Sequence, residues 1–91
     1  MEKKQFQELA DKAMEDNGAA FELAVIFKID VWHGMWPSGI RYVAAQRLWN
    51  FNNSCYYDDG VEYGTDPNAA TRLAIVRAAI NRFKKEREAN D

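Results

Sequence analysis

Residues 21–32 of this chain read Phe-Glu-Leu-Ala-Val-Ile-Phe-Lys-Ile-Asp-Val-Trp, and they decide between two folds. In an extended strand, side chains alternate between two faces, which puts all the odd-numbered apolar residues together and Glu22, Lys28 and Asp30 opposite. Wound as a helix, the segment points these charges in three directions, although residues 19–24 favour a helix by propensity. The alternation therefore favours a strand.

Helical periodicity is clear near both ends of the chain. Residues 6–14 place their apolar side chains within one narrow arc at 3.6 residues per turn, which predicts an amphipathic helix. We expect Asn17-Gly18 to close that helix in the left-handed conformation. Thr65-Asp66-Pro67 places a capping side chain before a proline, so a last helix is expected to begin there. Its apolar face consists of Ala69, Leu73, Val76, Ile80 and Phe83.

Glycine and proline divide the middle of the chain. Residues 33–39 contain two glycines and a proline, which predicts a turn. Apolar residues then recur at helical spacing, which predicts a second helix over residues 39–52. Residues 55–57 and 61–63 flank Asp58-Asp59-Gly60, a hairpin signal, and these short strands can pair with the longer one.

The expected fold class is α+β and helix-dominated, with about three helices and a small antiparallel sheet. If residues 21–32 are helical, the alternative is an all-α four-helix arrangement. A length of 91 residues suits a single domain over residues 1–91, with a charged C-terminal tail at 84–91 that frays from the last helix.

Composition is that of an ordinary globular protein, with 47% hydrophobic and 29% charged residues. Cys55 is the single cysteine, which rules out an internal disulfide, and residues 1–6 lack the apolar core of a signal peptide. We therefore expect a cytoplasmic protein. The longest apolar stretch, residues 23–27, is far shorter than the roughly 20 residues that span a bilayer, so no membrane partner is expected.

Residues able to carry chemistry are few. The chain has one histidine, His33, and no motif flanks either it or Cys55 as nucleophilic catalysis would require. The acidic residues at 58–66 do not follow the spacing of an EF-hand, and the five glycines form no phosphate-binding loop. We therefore expect no catalytic residue, no metal and no cofactor.

Two stretches predict a surface for a partner. Residues 32–37 place two tryptophans and a methionine in a predicted turn, and tryptophan is enriched at binding hot spots while methionine adapts to irregular pockets. Residues 56–63 set tyrosines beside carboxylates, which can mimic phosphate charge toward a basic partner. The predicted partner-binding residues are Trp32, Met35, Trp36, Tyr56, Tyr57, Asp58, Asp59, Glu62 and Tyr63. Alternatively, the tryptophan rings close the open end of the core.

The leading hypothesis is a non-enzymatic protein-interaction domain, a small regulator or inhibitor. Proteins of this kind are common among phage-encoded inhibitors of host defence, anti-CRISPR proteins included. The alternative is a nucleic-acid-binding regulator that acts through the C-terminal helix, because residues 67–91 carry six basic and three acidic groups against six and eleven in residues 1–66. The basic residues spread around the helix axis, so protein binding is preferred.

Overall fold

A computed structural model describes residues 1–48, 55–57 and 60–90. Three helices and a small antiparallel sheet make up the described chain, which is therefore the predicted helix-dominated α+β fold and not the four-helix alternative. In chain order the elements are α1 (Lys3–Ala13), α2 (Asn17–Phe27), β1 (Asp30–Met35), β2 (Arg41–Leu48), β3 (Cys55–Tyr57), β4 (Val61–Glu62) and α3 (Pro67–Asn90).

The sheet is built around β2. One edge of β2 pairs antiparallel with β1, with Val31 opposite Ala45 and His33 opposite Val43. The other edge pairs antiparallel with β3 and then β4, and the register differs by one residue between these two pairings. The prediction that residues 55–57 and 61–63 form a hairpin was wrong, because β3 and β4 follow each other along the same edge of β2.

The prediction of one strand over residues 21–32 was wrong for its first part. Residues 17–27 form α2, and the strand begins at Asp30. The Asp16 side chain accepts a hydrogen bond from the Gly18 backbone at the start of α2, and Lys28 ends the helix in the left-handed conformation at φ 55°. Helical propensity and these caps outweigh the alternating pattern that favoured a strand. The helix also buries Leu23 and Phe27 in the core.

The predicted helix over residues 39–52 is also corrected. Residues 41–48 form β2, whose inward side chains Val43 and Ala45 are completely buried, and residues 49–52 lie outside the described chain. The turn predicted over 33–39 is shorter, since His33, Gly34 and Met35 belong to β1. In the remaining loop, Gly39 donates its backbone N–H to the Trp36 carbonyl and adopts φ 91°, a conformation suited to glycine.

The helix ends follow local chemistry. Asn17-Gly18 does not close α1 as predicted, because α1 ends at Ala13 and these two residues open α2. The predicted start of the last helix is confirmed: Asp66 accepts a hydrogen bond from the Ala69 backbone at 3.0 Å, and Pro67 is the first residue of α3. Among the described residues, no helix combines the length and apolar character of a membrane span.

Three phenylalanine rings join the helices into one core. Phe6 of α1 stacks on Phe83 of α3 with ring centroids 4.3 Å apart, and Phe27 of α2 meets both rings edge-on. Val43 and Ala45 belong to the same buried cluster, and α3 packs directly on β2 and β4, so the helical layer lies on one face of the sheet. We call this the inner face, and the opposite one the outer face.

Candidate functional site

The outer face of the sheet carries a cluster of aromatic side chains. Because side chains alternate along a strand, Trp32 and Trp36 share this face with Tyr42, while Val31 and Val43 point inward. None of the three aromatic residues belongs to the helix-covered core, and all three remain partly exposed. The sheet residues that cluster with the helices all lie on the inner face, opposite these rings. We call Trp32, Trp36 and Tyr42 the aromatic face.

Tyr42 is the best-fixed member of the aromatic face. Its ring lies against two glycines: a Cβ on Gly34 would come within 2.6 Å of Tyr42 Cζ, and a Cβ on Gly60 within 2.8 Å of Tyr42 Cδ2. Trp36 then stacks on Tyr42, with centroids 4.5 Å apart and planes at 21°. Two residues without side chains thus let an aromatic pair lie close to the backbone of the sheet.

The hairpin loop supplies exposed apolar groups beside the aromatic face. Ile40 is 45% exposed, and its backbone carbonyl accepts the Trp36 N–H, so the two residues are paired across the hairpin. Met35 is 59% exposed, but alternation along β1 places it on the inner side. The predicted stretch 32–36 is therefore divided between the two sides of the sheet, with both tryptophans on one side and Met35 on the other.

Tyr63 and His33 form a separate pair on the inner side of the sheet. The Tyr63 hydroxyl and His33 Nδ1 are hydrogen-bonded, and the rings meet at 75°. Tyr63 also packs against the core, so its contact fixes the chain after β4. This predicted partner-binding residue accordingly lies away from the aromatic face.

The predicted acidic and tyrosine-rich site is described only in part. Glu62 is exposed and pairs with Tyr42 in the sheet, which puts one carboxylate beside the aromatic face. The backbone of Tyr56 and Tyr57 forms most of β3, while Asp58 and Asp59 lie outside the described residues. The side chains of these four residues therefore stay a prediction.

Sequence reasoning missed Tyr42, Gly34, Gly60 and Ile40. Their signal is the loop Pro37-Ser38-Gly39, which is typical of a three-residue hairpin connection with glycine in the left-handed position. Such a loop fixes the register of β1 against β2 and sets Gly34 opposite Tyr42. A glycine opposite an aromatic residue then predicts that the ring lies over the glycine.

The basic residues of α3 are partly occupied within the fold. Arg72 donates to the Met14 carbonyl at 3.0 Å and to the Asn17 side chain at 2.7 Å. Arg82 pairs with Glu86 at 3.0 Å one helical turn away. Glu86 therefore offsets the charge of Arg82, and the N–H groups of Arg72 that bond Met14 and Asn17 are used within the fold.

The two candidate catalytic residues are separated along the sheet. His33 pairs with Val43 on one edge of β2, whereas Cys55 pairs with Leu48 on the other, about 17 Å further along at 3.3 Å per residue. Within the described part of the chain, no three histidine, cysteine or acidic side chains gather as a metal ion would require.

No protein-family model, curated protein or solved structure matches this chain. The aromatic face and its surroundings therefore carry the functional inference.

Proposed function

We propose that this chain is a non-enzymatic protein-binding domain, a small regulator or inhibitor that docks on its partner through the aromatic face. The observation that carries the proposal is the stack of Trp36 on Tyr42, which lies against Gly34 and Gly60 on the sheet face opposite the helical layer. Rigid aromatic side chains bury a large area at low entropic cost, which is why they dominate binding hot spots.

The surroundings of the aromatic face favour a protein over a nucleic acid. Ile40 extends the surface with an exposed aliphatic group, and Glu62 adds a carboxylate next to Tyr42. Stacking surfaces for single-stranded nucleic acids lie in positively charged grooves. Arg41 is exposed, but it pairs with Met35, and alternation along β2 places it on the side opposite Tyr42 and Glu62.

The proposal is tested by affinity capture from a native lysate with quantitative mass spectrometry. The variant Ile40→Asp places a charge at the edge of the aromatic face without removing a buried contact. We expect the wild-type chain to retain a specific protein and the variant to retain it at least tenfold less, since hot-spot losses of about 1.4 kcal/mol or more have that effect.

Met14→Asp is the matched control, because Met14 is 42% exposed, close to Ile40 at 45%, and lies on the helical side. Both variants should keep the wild-type melting temperature. Equal retention of the protein by Ile40→Asp and wild type would refute docking through the aromatic face. Retention of nucleic acid alone would instead support the alternative regulator.

A further inference from the structure

A second apolar surface lies on the solvent-facing side of α2. This helix contains one charged residue, Glu22, and its apolar residues point in all directions around the axis. Leu23 and Phe27 are buried, yet Phe21 is 70% exposed and Val25 is 59% exposed. A helix that is apolar all round is normally buried all round. One side of α2 therefore lacks the covering that its sequence requires.

A groove lies directly beside Phe21, between α2, α3 and the start of β1. Its volume is about 410 Å³, and most of its wall is apolar. The apolar wall consists of Ala20, Ala24, Ile29, Val31 and Ile75. The surface thus combines a projecting aromatic ring with an apolar depression next to it.

We propose that this surface is covered by a second copy of the chain, in a two-fold dimer whose α2 helices pack against each other. In a two-fold interface the same patch serves both partners, so the patch has to be complementary to itself. A ring beside a depression satisfies that condition, because the rotation brings Phe21 of each copy to the groove of the other. The dimer is independent of the aromatic face, which lies on the opposite layer.

The charges near the groove are compatible with self-association. Asp30 and Arg72 both line it, with opposite signs. The hydrogen bonds of Arg72 go to a backbone carbonyl of Met14 and to the amide of Asn17, so neither neutralises the guanidinium. A patch of one sign would repel its own copy, whereas this patch carries both signs around an uncharged centre.

The molar mass in solution tests the dimer. It is measured by light scattering after size-exclusion chromatography or by analytical ultracentrifugation. Wild type should have twice the 10.5 kDa mass of one chain, and Phe21→Lys with Val25→Lys should reduce it to that of a monomer. The control Met35→Lys with Ile40→Lys alters two similarly exposed apolar residues of the hairpin and should stay dimeric. A monomeric wild type, or a dimeric α2 variant, would overturn the proposal.

A measurement on the unmodified chain locates the interface even if the α2 variant fails to fold. In a mixture of isotope-labelled and unlabelled chains, nuclear Overhauser effects between copies should connect the Phe21 ring with the methyl groups of Val31 and Ile75. Contacts between copies that involve Trp36 or Ile40 instead would show a dimer through another surface and contradict the proposal.

Discussion

Gly34 supports the aromatic face through the absence of a side chain. Gly34→Ala would force a Cβ to 2.6 Å from Cζ of Tyr42, so the ring must move and its stack with Trp36 must open. Overpacking of this kind costs about 1–3 kcal/mol in the free energy of unfolding. We expect that loss in chemical denaturation, together with a change in the near-ultraviolet circular dichroism of the aromatic residues.

Gly18→Ala is the control for the Gly34 substitution. Its Cβ would meet only the Asp16 carboxylate oxygens, at 3.6 and 3.7 Å, and Gly18 belongs to α2 with no positive φ. Alanine at such a helical position should raise stability by roughly 0.5 kcal/mol. If Gly34→Ala proved as harmless as Gly18→Ala, the close support of Tyr42 would be disproved.

Arg72 connects α3 to the junction between α1 and α2. Arg72→Met keeps much of the aliphatic length but removes the hydrogen bonds to the Met14 carbonyl and the Asn17 side chain. Hydrogen bonds from a charged group contribute about 1.5–3 kcal/mol, so we expect a loss within that range in urea unfolding. Arg77→Met, at an exposed position on the same helix, should change the free energy of unfolding little. Equal losses of stability in both variants would refute a stabilising role for the Arg72 hydrogen bonds.

The boundary between α2 and β1 predicts whether a substitution at Lys28 raises or lowers the stability of the protein. Lys28 has φ 55°, and a left-handed conformation costs a residue with a side chain about 1–2 kcal/mol, so Lys28→Gly should stabilise the protein by about 0.5–1 kcal/mol. Glycine within a continuous strand over residues 21–32 would do the opposite. Thermal unfolding of Lys28→Gly and of the control Glu22→Gly distinguishes the helix boundary from a continuous strand. Glu22→Gly lies inside α2 and is expected to lower the free energy of unfolding by about 1 kcal/mol.

Elements with local signals could be predicted from the sequence. The amphipathic arc of residues 6–14 and the capped proline at Asp66-Pro67 identified α1 and α3, because these signals depend on neighbours along the chain. Residues 21–27 and 41–48 fit both periodicities, and the contacts that decide between them are tertiary. In β2, alternation buries Val43 and Ala45 and leaves Tyr42 on the outer side.

The sequence predicts that the tryptophans belong to the candidate site, but it does not predict the geometry of the site. The sequence identified Trp32 and Trp36 by residue type, but placing them on one side and Met35 on the other required the strand assignment. Tyr42 entered the site only through its register with Gly34. Pairing across a hairpin determines such a site. A sequence pattern that assigns residues 39–52 to a helix does not predict this pairing, and so does not predict the site.

In the whole molecule, the two proposed surfaces belong to different layers. The aromatic face is part of the sheet, and the exposed side of α2 is part of the helical layer on the other face. A dimer through α2 leaves both copies of the aromatic face accessible. Two linked sites gain affinity when both can engage a partner at once, so a dimeric regulator would hold a repetitive or dimeric target more tightly than a monomer would.

The central claim is that the aromatic face contacts the protein partner, and the tryptophan side-chain signals in a nitrogen-15 correlation spectrum test it most directly. Addition of the captured partner to the labelled chain should shift or broaden the indole N–H signals of Trp32 and Trp36, assigned with Trp→Phe variants. The Phe21 and Val25 amides should stay unchanged. Unaltered indole signals in a saturated complex, with changes confined to another surface, would contradict the account.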